Sequence, residues 1–483
     1  MYNFKTDPYQ HQLEVYECSK DRDYWAFFME MGTGKSKVVV DQIGYLWDKQ
    51  ALDTVLIIAP KGVYDNWVQQ EIPRHLSDQV PYKIVRWQPN WTKTWVNEVS
   101  DIAVPARRKE GVLSILVMNV EAFSTDKGSS TAAKYLSLNP NNMVVVDEST
   151  TIKTKKAQRT KNIIELGKLA KYRRILTGSP ITKSPLDLYT QCAFLSHKAL
   201  GFTSYYAFQG RYAKVERRHG SNRVYQHITG YRRLEELGDK LDGFSSRILK
   251  EDCLTLPPKV YIRRNVELTK EQTKLYKEMK KLALAQLESG ELATTTSVLT
   301  QIMRLQQIVC GFLPPDEGQP TPIKNNRVDS LMDLIEETSG KIIIWAYWIK
   351  NIEIIEQELK KKYGCDSVAS YQGQTPQEER QDIIKRFQNP DSPMRFFIGQ
   401  PSTGGYGITL TAATTVIYYS NSYNLEERLQ SEDRAHRIGQ ERSVTYVDLV
   451  SPGTVDEKIL KALHDKRNLA QTVLGEELDQ WLT

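Results

Sequence analysis

The sequence predicts an α/β fold, with mostly parallel sheets flanked by helices, and three observations carry that prediction. Short apolar, β-branched runs alternate with amphipathic stretches of helical period. One such run, Tyr24-Trp25-Ala26-Phe27-Phe28, enters a glycine-rich turn that is followed at once by a helical pattern from Lys37 to Ile43. Another, Met143-Val144-Val145-Val146, ends in the adjacent acids Asp147-Glu148, and open parallel sheets place their ligands at such strand ends. At 483 residues the chain is too long for one core and suggests two or three domains.

The bulk composition excludes several classes. Hydrophobic residues make up 40% and charged residues 26%, as in an ordinary folded protein. No run approaches the roughly 20 apolar residues of a membrane span, and Met1-Tyr2-Asn3-Phe4-Lys5 lacks a signal-peptide core. The expectation is a chain that stays in the cytosol or its equivalent, without membrane partners. The five cysteines are far apart, which argues against disulfides and a zinc site. A net charge of +6 is modest, so a polyanion surface needs local clustering.

Taken in order, Pro8-Tyr9-Gln10 comes first. The Gln10 amide can donate and accept together, as an adenine edge requires, although a plain helix start reads the same way. Next stands Glu30-Met31-Gly32-Thr33-Gly34-Lys35-Ser36. In a strand-turn-helix setting its free N–H groups can surround phosphate, Lys35 can reach the β- and γ-phosphates, and Ser36 can ligate Mg²⁺. One position departs from the formula: Met29 stands where a glycine is usual. Thr54 to Ala59 and Ser114 to Met118 read as buried strands. After the strand at 143, Asp147 can hold Mg²⁺ while Glu148 polarises the attacking water. Ile175-Leu176 then runs into the turn Thr177-Gly178-Ser179-Pro180.

Residues 201 to 250 carry ten Lys/Arg against five acids, interleaved with aromatics. Arg217, Arg218, Arg232 and Arg233 form two doublets suited to a phosphate backbone, or else to a solvated helical face. Thr269 to Gln272 has capping-box spacing and opens a helical stretch. The α/β alternation restarts at Lys341, with strands at 395–399, 415–419 and 444–448. Between them Ser402-Thr403-Gly404-Gly405-Tyr406-Gly407-Ile408-Thr409-Leu410 is a second glycine-rich turn without a phosphate-loop lysine. Arg434 and Arg437 share one face if that stretch is helical, and two arginines there can act as fingers on a γ-phosphate.

The order of these blocks resembles the Swi/Snf family of superfamily-two helicase-like ATPases. It runs Pro8-Tyr9-Gln10, Met31 to Ser36, Ala59-Pro60-Lys61 with Asn66-Trp67, Asp147-Glu148-Ser149 with Ile152-Lys153, and Leu176 to Pro180. The later block Gln430-Ser431-Glu432-Asp433-Arg434-Ala435-His436-Arg437-Ile438-Gly439-Gln440 is the most specific, and Arg247-x-x-Lys250 with Leu256-Pro257-Pro258-Lys259 looks like the family's inter-lobe junction. The resemblance implies two RecA-like lobes with helical insertions, ATP and Mg²⁺ in a cleft, and double-stranded or branched DNA as partner. It implies lobe 1 over residues 1–200, a basic helical protrusion over 201–250 and a linker over 251–268. A second helical protrusion then covers 269–325, lobe 2 covers 326–452, and a brace helix covers 453–483. By the same resemblance Gln10, residues 31–36, Gly407 and Gln430 bind ATP; Lys35, Asp147, Glu148, Arg434 and Arg437 are catalytic; Ser36 and Asp147 hold the metal. Lys61, Trp67, Thr177, Gly178, Ser179, Ser402, Thr403 and Gly405 contact nucleic acid or couple it to the cleft. The family often has Asn where Thr409 stands. The expected activity is translocation on duplex DNA by a monomer or a protein recruited by a partner. A strand-separating DNA or RNA helicase and an ATP-gated clamp are the alternatives.

Overall fold

In a computed structural model the described residues are all but 1, 62, 220–223, 254–255, 289–294, 314–320, 405–407, 438 and 475–483. The chain divides into two compact units. Unit 1 comprises Met1–Arg218, Val224–Thr255 and Arg467–Thr483; unit 2 comprises His219–Arg223 and Leu256–Lys466.

The strands of unit 1 are β1 (Tyr24–Met29), β2 (Thr54–Ala59), β3 (Tyr82–Arg86), β4 (Leu113–Asn119), β5 (Asn142–Asp147), β6 (Tyr172–Leu176), β7 (Ala213–His219), β8 (Val224–Tyr231) and β9 (Ser245–Ile248). Seven of them form one parallel sheet in the order β3-β4-β2-β5-β6-β1-β9, while β7 and β8 pair separately. Successive residues of the central strands point to opposite faces, so each face needs its own apolar cover. Ala26, Phe28, Leu56, Val144 and Val146 pack in one core, and Phe27, Met29, Ile57, Val145 and Leu176 in the other. That is why these strands read as continuous apolar runs.

The register brings three strand ends together. Asp147 lies level with Leu176, and Leu176 with Phe27, so β5, β6 and β1 end side by side. Behind them the fully buried Arg174 donates to Gln42 Oε1 at 2.8 Å and to the carbonyls of Arg22 and Asp23. Burial pushes its pKa down to about 9. These bonds lash the helix Lys35–Asp48 to the chain that enters β1.

Unit 2 adds β10 (Lys259–Asn265), β11 (Phe312–Leu313), β12 (Thr321–Pro322), β13 (Lys341–Trp345), β14 (Val368–Tyr371), β15 (Phe396–Gly399), β16 (Ala413–Tyr418) and β17 (Val444–Val450). Its parallel sheet has the order β10-β17-β16-β13-β15-β14. Ile342 and Ile344 face one core, and Ile343 and Trp345 the other. The helices Lys270–Glu288 and Thr295–Val309 form a separate small cluster around Tyr276, Ile308 and Val309. The capping box at Thr269 forms, with Thr269 Oγ1 accepting from the Gln272 N–H at 3.2 Å.

Two segment readings are corrected. Residues 201–250 are not a helical protrusion throughout: two short helices, Tyr205–Tyr212 and Leu234–Asp242, flank the β7-β8 pair, and β9 joins the main sheet. Ser245-Ser246-Arg247-Ile248 carries too little apolar character to read as a strand, yet it gains a full ladder against β1. Residues 251–268 are not all linker, because β10 within them is an edge strand of the second sheet. Its alternating exposure explains its polar text. Among the described residues no helix is long and apolar enough to cross a membrane.

Candidate functional site

The phosphate-loop text folds as a turn between β1 and the helix Lys35–Asp48. Gly32 and Gly34 have φ of 87° and 91°, a region that glycine enters without strain. A Cβ on Gly34 would lie 2.1 Å from Gln12 Nε2, so any larger residue there would also displace the Gln12 amide. The departure at Met29 is resolved: the side chain is the last of β1, fully buried in the core beneath the loop. Thr33 Oγ1 donates to the Glu30 carbonyl at 2.8 Å and closes the turn.

Two side chains missed by sequence reasoning hold this loop. Gln12 Nε2 donates to the Thr33 carbonyl at 3.0 Å, and His11 Nε2 donates to the same carbonyl at 2.8 Å. Gln10 points elsewhere. It is exposed in the first turn of its helix and donates to Glu14. Helical period decides this, because Gln12 occupies the inward face and Gln10 does not.

Asp147 ends β5 and is buried beside Lys35. Its Oδ1 accepts from the Glu148 N–H at 3.0 Å and its Oδ2 from Trp67 Nε1 at 2.9 Å. Burial raises its pKa; the Lys35 charge and these two hydrogen bonds oppose that rise. A carboxylate so placed has lone pairs left for a cation, whose charge would offset the cost of burial. Asp147 and the Ser36 hydroxyl, in the first helical turn, therefore fit a hard divalent ion chemically. Glu148 sits at φ 47°, ψ 61°, a left-handed conformation unusual for a glutamate, and is buried. Strain of this kind gathers at functional sites.

Trp67 is fully buried, which rules out nucleic-acid contact in this conformation; its role is to hold Asp147. Lys61 is exposed. The Thr177-Gly178-Ser179 turn follows β6 directly. Thr177 Oγ1 accepts from the Ser179 N–H at 3.2 Å, and Gly178 packs on the phosphate loop, where a Cβ would lie 3.2 Å from Met31 N. Gln191, also missed, joins this turn to the acidic one. Its Oε1 accepts from Ser149 Oγ at 2.7 Å and its Nε2 donates to the Pro180 carbonyl at 2.8 Å. A lone glutamine within the apolar Leu188–Leu195 helix was the available signal.

In unit 2 the helix Leu425–Glu432 ends before Arg434. The shared helical face expected for Arg434 and Arg437 is therefore corrected to a turn. Buried Arg434 donates from Nε to the Gln430 carbonyl at 2.8 Å and from Nη1 to the Ile408 carbonyl at 3.1 Å. Arg437 Nη1 donates to Thr409 Oγ1 at 2.9 Å. A hydroxyl oxygen at Thr409 thus accepts where the family often has an asparagine. Gln430 is buried in that helix. Ser402 is exposed and Thr403 half-buried in the one-turn helix Pro401–Gly404, whereas Gly405 and Gly407 lie outside the described residues.

In 201–250 Tyr206 is exposed and Lys240 Nζ lies 5.8 Å from the Phe202 ring centroid, but other aromatics turn inward. Phe208 and Tyr212 are core, with ring centroids 4.9 Å apart, so they offer no face to bases. Arg232 is exposed but donates to the carbonyls of Gly210 and Arg211. Arg217 and Arg233 are exposed, and the Arg218 side chain lies outside the described residues.

A glycine turn and a buried lysine after β1, with two buried acids at the end of β5, define a nucleotide-phosphate-binding α/β protein with two parallel sheets. The chain matches the SNF2-related domain over residues 26–312 and the Helicase conserved C-terminal domain over 326–439. It belongs to the SNF2-related family. It is 25% identical over 495 residues to the TATA-binding protein-associated factor MOT1 of Saccharomyces cerevisiae, covering 89% of this chain and 26% of that protein. It is 24% identical over 494 residues to the ISWI chromatin-remodeling complex ATPase ISW1 of the same yeast, covering 98% and 41%. The chain thus spans less than half the length of these relatives. The Sulfolobus solfataricus SWI2/SNF2 ATPase core in complex with dsDNA matches at 24% identity and a TM-score of 0.43, over 98% of this chain and 94% of that one.

Proposed function

We propose that the protein is an ATP-driven translocase on double-stranded DNA, hydrolysing ATP to ADP and phosphate. The observation that carries this reading is the meeting of Lys35, at the start of the helix after β1, with Asp147, at the end of β5, and the strained Glu148 next in the chain. Family membership supports it, as do relatives named for helicase and chromatin-remodelling activity.

In this reading the N–H groups from Met31 to Ser36 bind the phosphates with Lys35, at the positive end of a helix. Ser36 and Asp147 hold Mg²⁺, which supplies charge neutralisation on the phosphate oxygens. Glu148 takes the proton of the attacking water. Thr177 to Ser179 face the loop and relay phosphate occupancy. Arg434 and Arg437 serve as finger residues, and Gln430 and Gly407 belong to the nucleotide's surroundings. Lys61, Ser402, Thr403, Gly405 and the arginines at 217, 218 and 233 serve the DNA. We place the protein in the cytoplasm with the nucleoid, acting as a monomer or recruited by a partner.

The test is ATP hydrolysis with duplex, forked, four-way and single-stranded DNA and with RNA. Duplex or branched DNA is expected to stimulate most. Equal or greater stimulation by single strands or RNA would favour the strand-separating alternative, and binding without turnover would favour the clamp.

A further inference from the structure

Glu148 keeps its left-handed backbone between hydrogen bonds on either side, all within unit 1. On the strand side its N–H donates to Asp147 Oδ1 at 3.0 Å, and Asp147 is itself held by Trp67. On the other side its carbonyl accepts from the Thr151 N–H at 3.0 Å and from Thr151 Oγ1 at 2.9 Å, within the single turn Ser149–Ile152. A residue with a Cβ stays in such a backbone region only where its surroundings over-determine it. The bonds to Thr151 close the turn on itself, but they do not fix where the turn sits.

Two side chains from the following segment fix it. Ser149 and Gln191 are both fully buried, and Ser149 Oγ donates to Gln191 Oε1 at 2.7 Å. Gln191 Nε2 in turn donates to the carbonyls of Pro180 and Asp187, each at 2.8 Å. Leu188, Cys192, Phe194 and Leu195 of the same helix are core. An apolar side chain would fill the place of Gln191 without the cost of burying an amide, so the amide's value lies in the groups it joins. At the far end of the turn Lys153 Nζ donates to Thr182 Oγ1 at 2.6 Å, and the Thr182 N–H donates to Asp187 Oδ2 at 3.1 Å. The acidic turn is thus pinned at both ends to residues 180–191.

We infer that Gln191 is a positioning residue for Glu148, acting through its hydrogen bond with Ser149, the next residue in the chain. Being fully buried, Gln191 takes no part in the proton transfer itself. It fixes the turn from which the Glu148 carboxylate reaches the attacking water, so it governs turnover rather than nucleotide binding. The inference deepens the ATP-site reading and rests on Glu148 as the base.

The experiment compares the full chain with Gln191→Met, Ser149→Ala, their double variant, Glu148→Asp, and Glu148→Asp combined with Gln191→Met. Methionine matches glutamine in length but cannot donate an N–H bond. The measurements are kcat and KM for ATP on saturating duplex DNA, taken below the melting temperature of every variant. Gln191→Met and Ser149→Ala are each expected to lower kcat about tenfold, the scale of one buried hydrogen bond, with KM within about threefold. The double variant should be no slower than Gln191→Met, since both changes cut one link. With the base already shortened, adding Gln191→Met to Glu148→Asp should cost less than about threefold. A purely structural role would slow both backgrounds alike.

Wild-type kcat in either single variant overturns the inference, as does a loss confined to KM. So does a double variant whose loss is the product of the single losses, or the full loss repeated in the Glu148→Asp background. If Gln191→Met does not fold, Ser149→Ala alone and with Glu148→Asp carries the same comparison, and a multiplicative loss again overturns it. A wild-type chain that hydrolyses no ATP on any DNA, or a Glu148→Gln variant with wild-type turnover, sinks the underlying reading instead, which is a distinct result.

Discussion

Glu148 and Asp147 differ in what their surroundings ask of them. Asp147 is held by Trp67 and faces Lys35, whereas Glu148 is twisted into a left-handed backbone. Glu148→Gln should leave ATP binding nearly intact and abolish turnover, because the acid is lost while the loop and Asp147 remain. Hydrolysis at the wild-type rate in that variant would show that Glu148 is not the base. A second residue-scale prediction concerns the back of the phosphate-loop helix. There the buried Asp41 pairs with Lys37 at 2.7 Å, and His75 accepts or donates a hydrogen bond with Thr6 at 2.8 Å. Burial raises Asp41 to about 6 and lowers His75 to about 4. A carboxyl whose folded pKa is raised adds stability as pH falls from about 6 towards 3.8. A histidine whose folded pKa is depressed costs stability as pH falls from 6.5 towards 4. The two trends oppose one another in the wild type. Asp41→Asn should therefore lose stability on acidification more steeply than wild type, read from denaturant midpoints between pH 4 and 7. An unchanged slope would mean Asp41 titrates normally.

At the scale of elements, turns rather than helices present the two arginines proposed as fingers. Arg434 is bound to two carbonyls and supports residues 408–410, while Arg437 is half-buried and held by Thr409. Arg437→Ala should keep ATP and DNA binding while lowering hydrolysis by roughly 10³-fold or more. Loss of ATP affinity with turnover retained would remove the finger assignment. Arg434→Ala should additionally lower stability, because its buried hydrogen bonds are lost. The basic segment 201–250 behaves differently from its composition: Arg211 pairs with Glu236 at 2.5 Å and Arg232 serves local carbonyls. Arg217 and Arg233 are exposed, and with Arg218 they are the arginines proposed to meet DNA. Changing these three to alanine should weaken duplex binding and flatten the log–log salt slope by up to about 3 units. Lines of equal slope would make them a solvated face.

For the whole molecule, each sheet has its own pair of cores, and the phosphate loop and both acids lie in unit 1. ATP with Mg²⁺ at about a hundred times its Kd should raise the stability of the unit that binds it by about 2.7 kcal/mol, seen as a shifted calorimetric transition. Lys35→Ala should remove the shift. A shift that persists in the variant would place the nucleotide elsewhere.

The features legible in the residue order are local and covalent. Apolar runs long enough to be buried on both faces announced β2, β4, β5, β13 and β16, because a central parallel strand has no polar side to show. Glycines at Gly32 and Gly34, a lysine after them and two acids after a strand announced the site, since phosphate chemistry fixes those residue types in order. Which side chains finish it depends on packing between distant segments. Gln12 rather than Gln10 reaches the loop, Trp67 turns inward to Asp147, and Gln191 bridges two turns. Such packing also made polar strands of β9 and β10, which take their stability from ladders with β1 and β17 rather than from their own side chains. The physical reason is the same in each case: hydrogen bonds between residues far apart in sequence leave no periodic trace in the chain, whereas burial on both faces of a strand does.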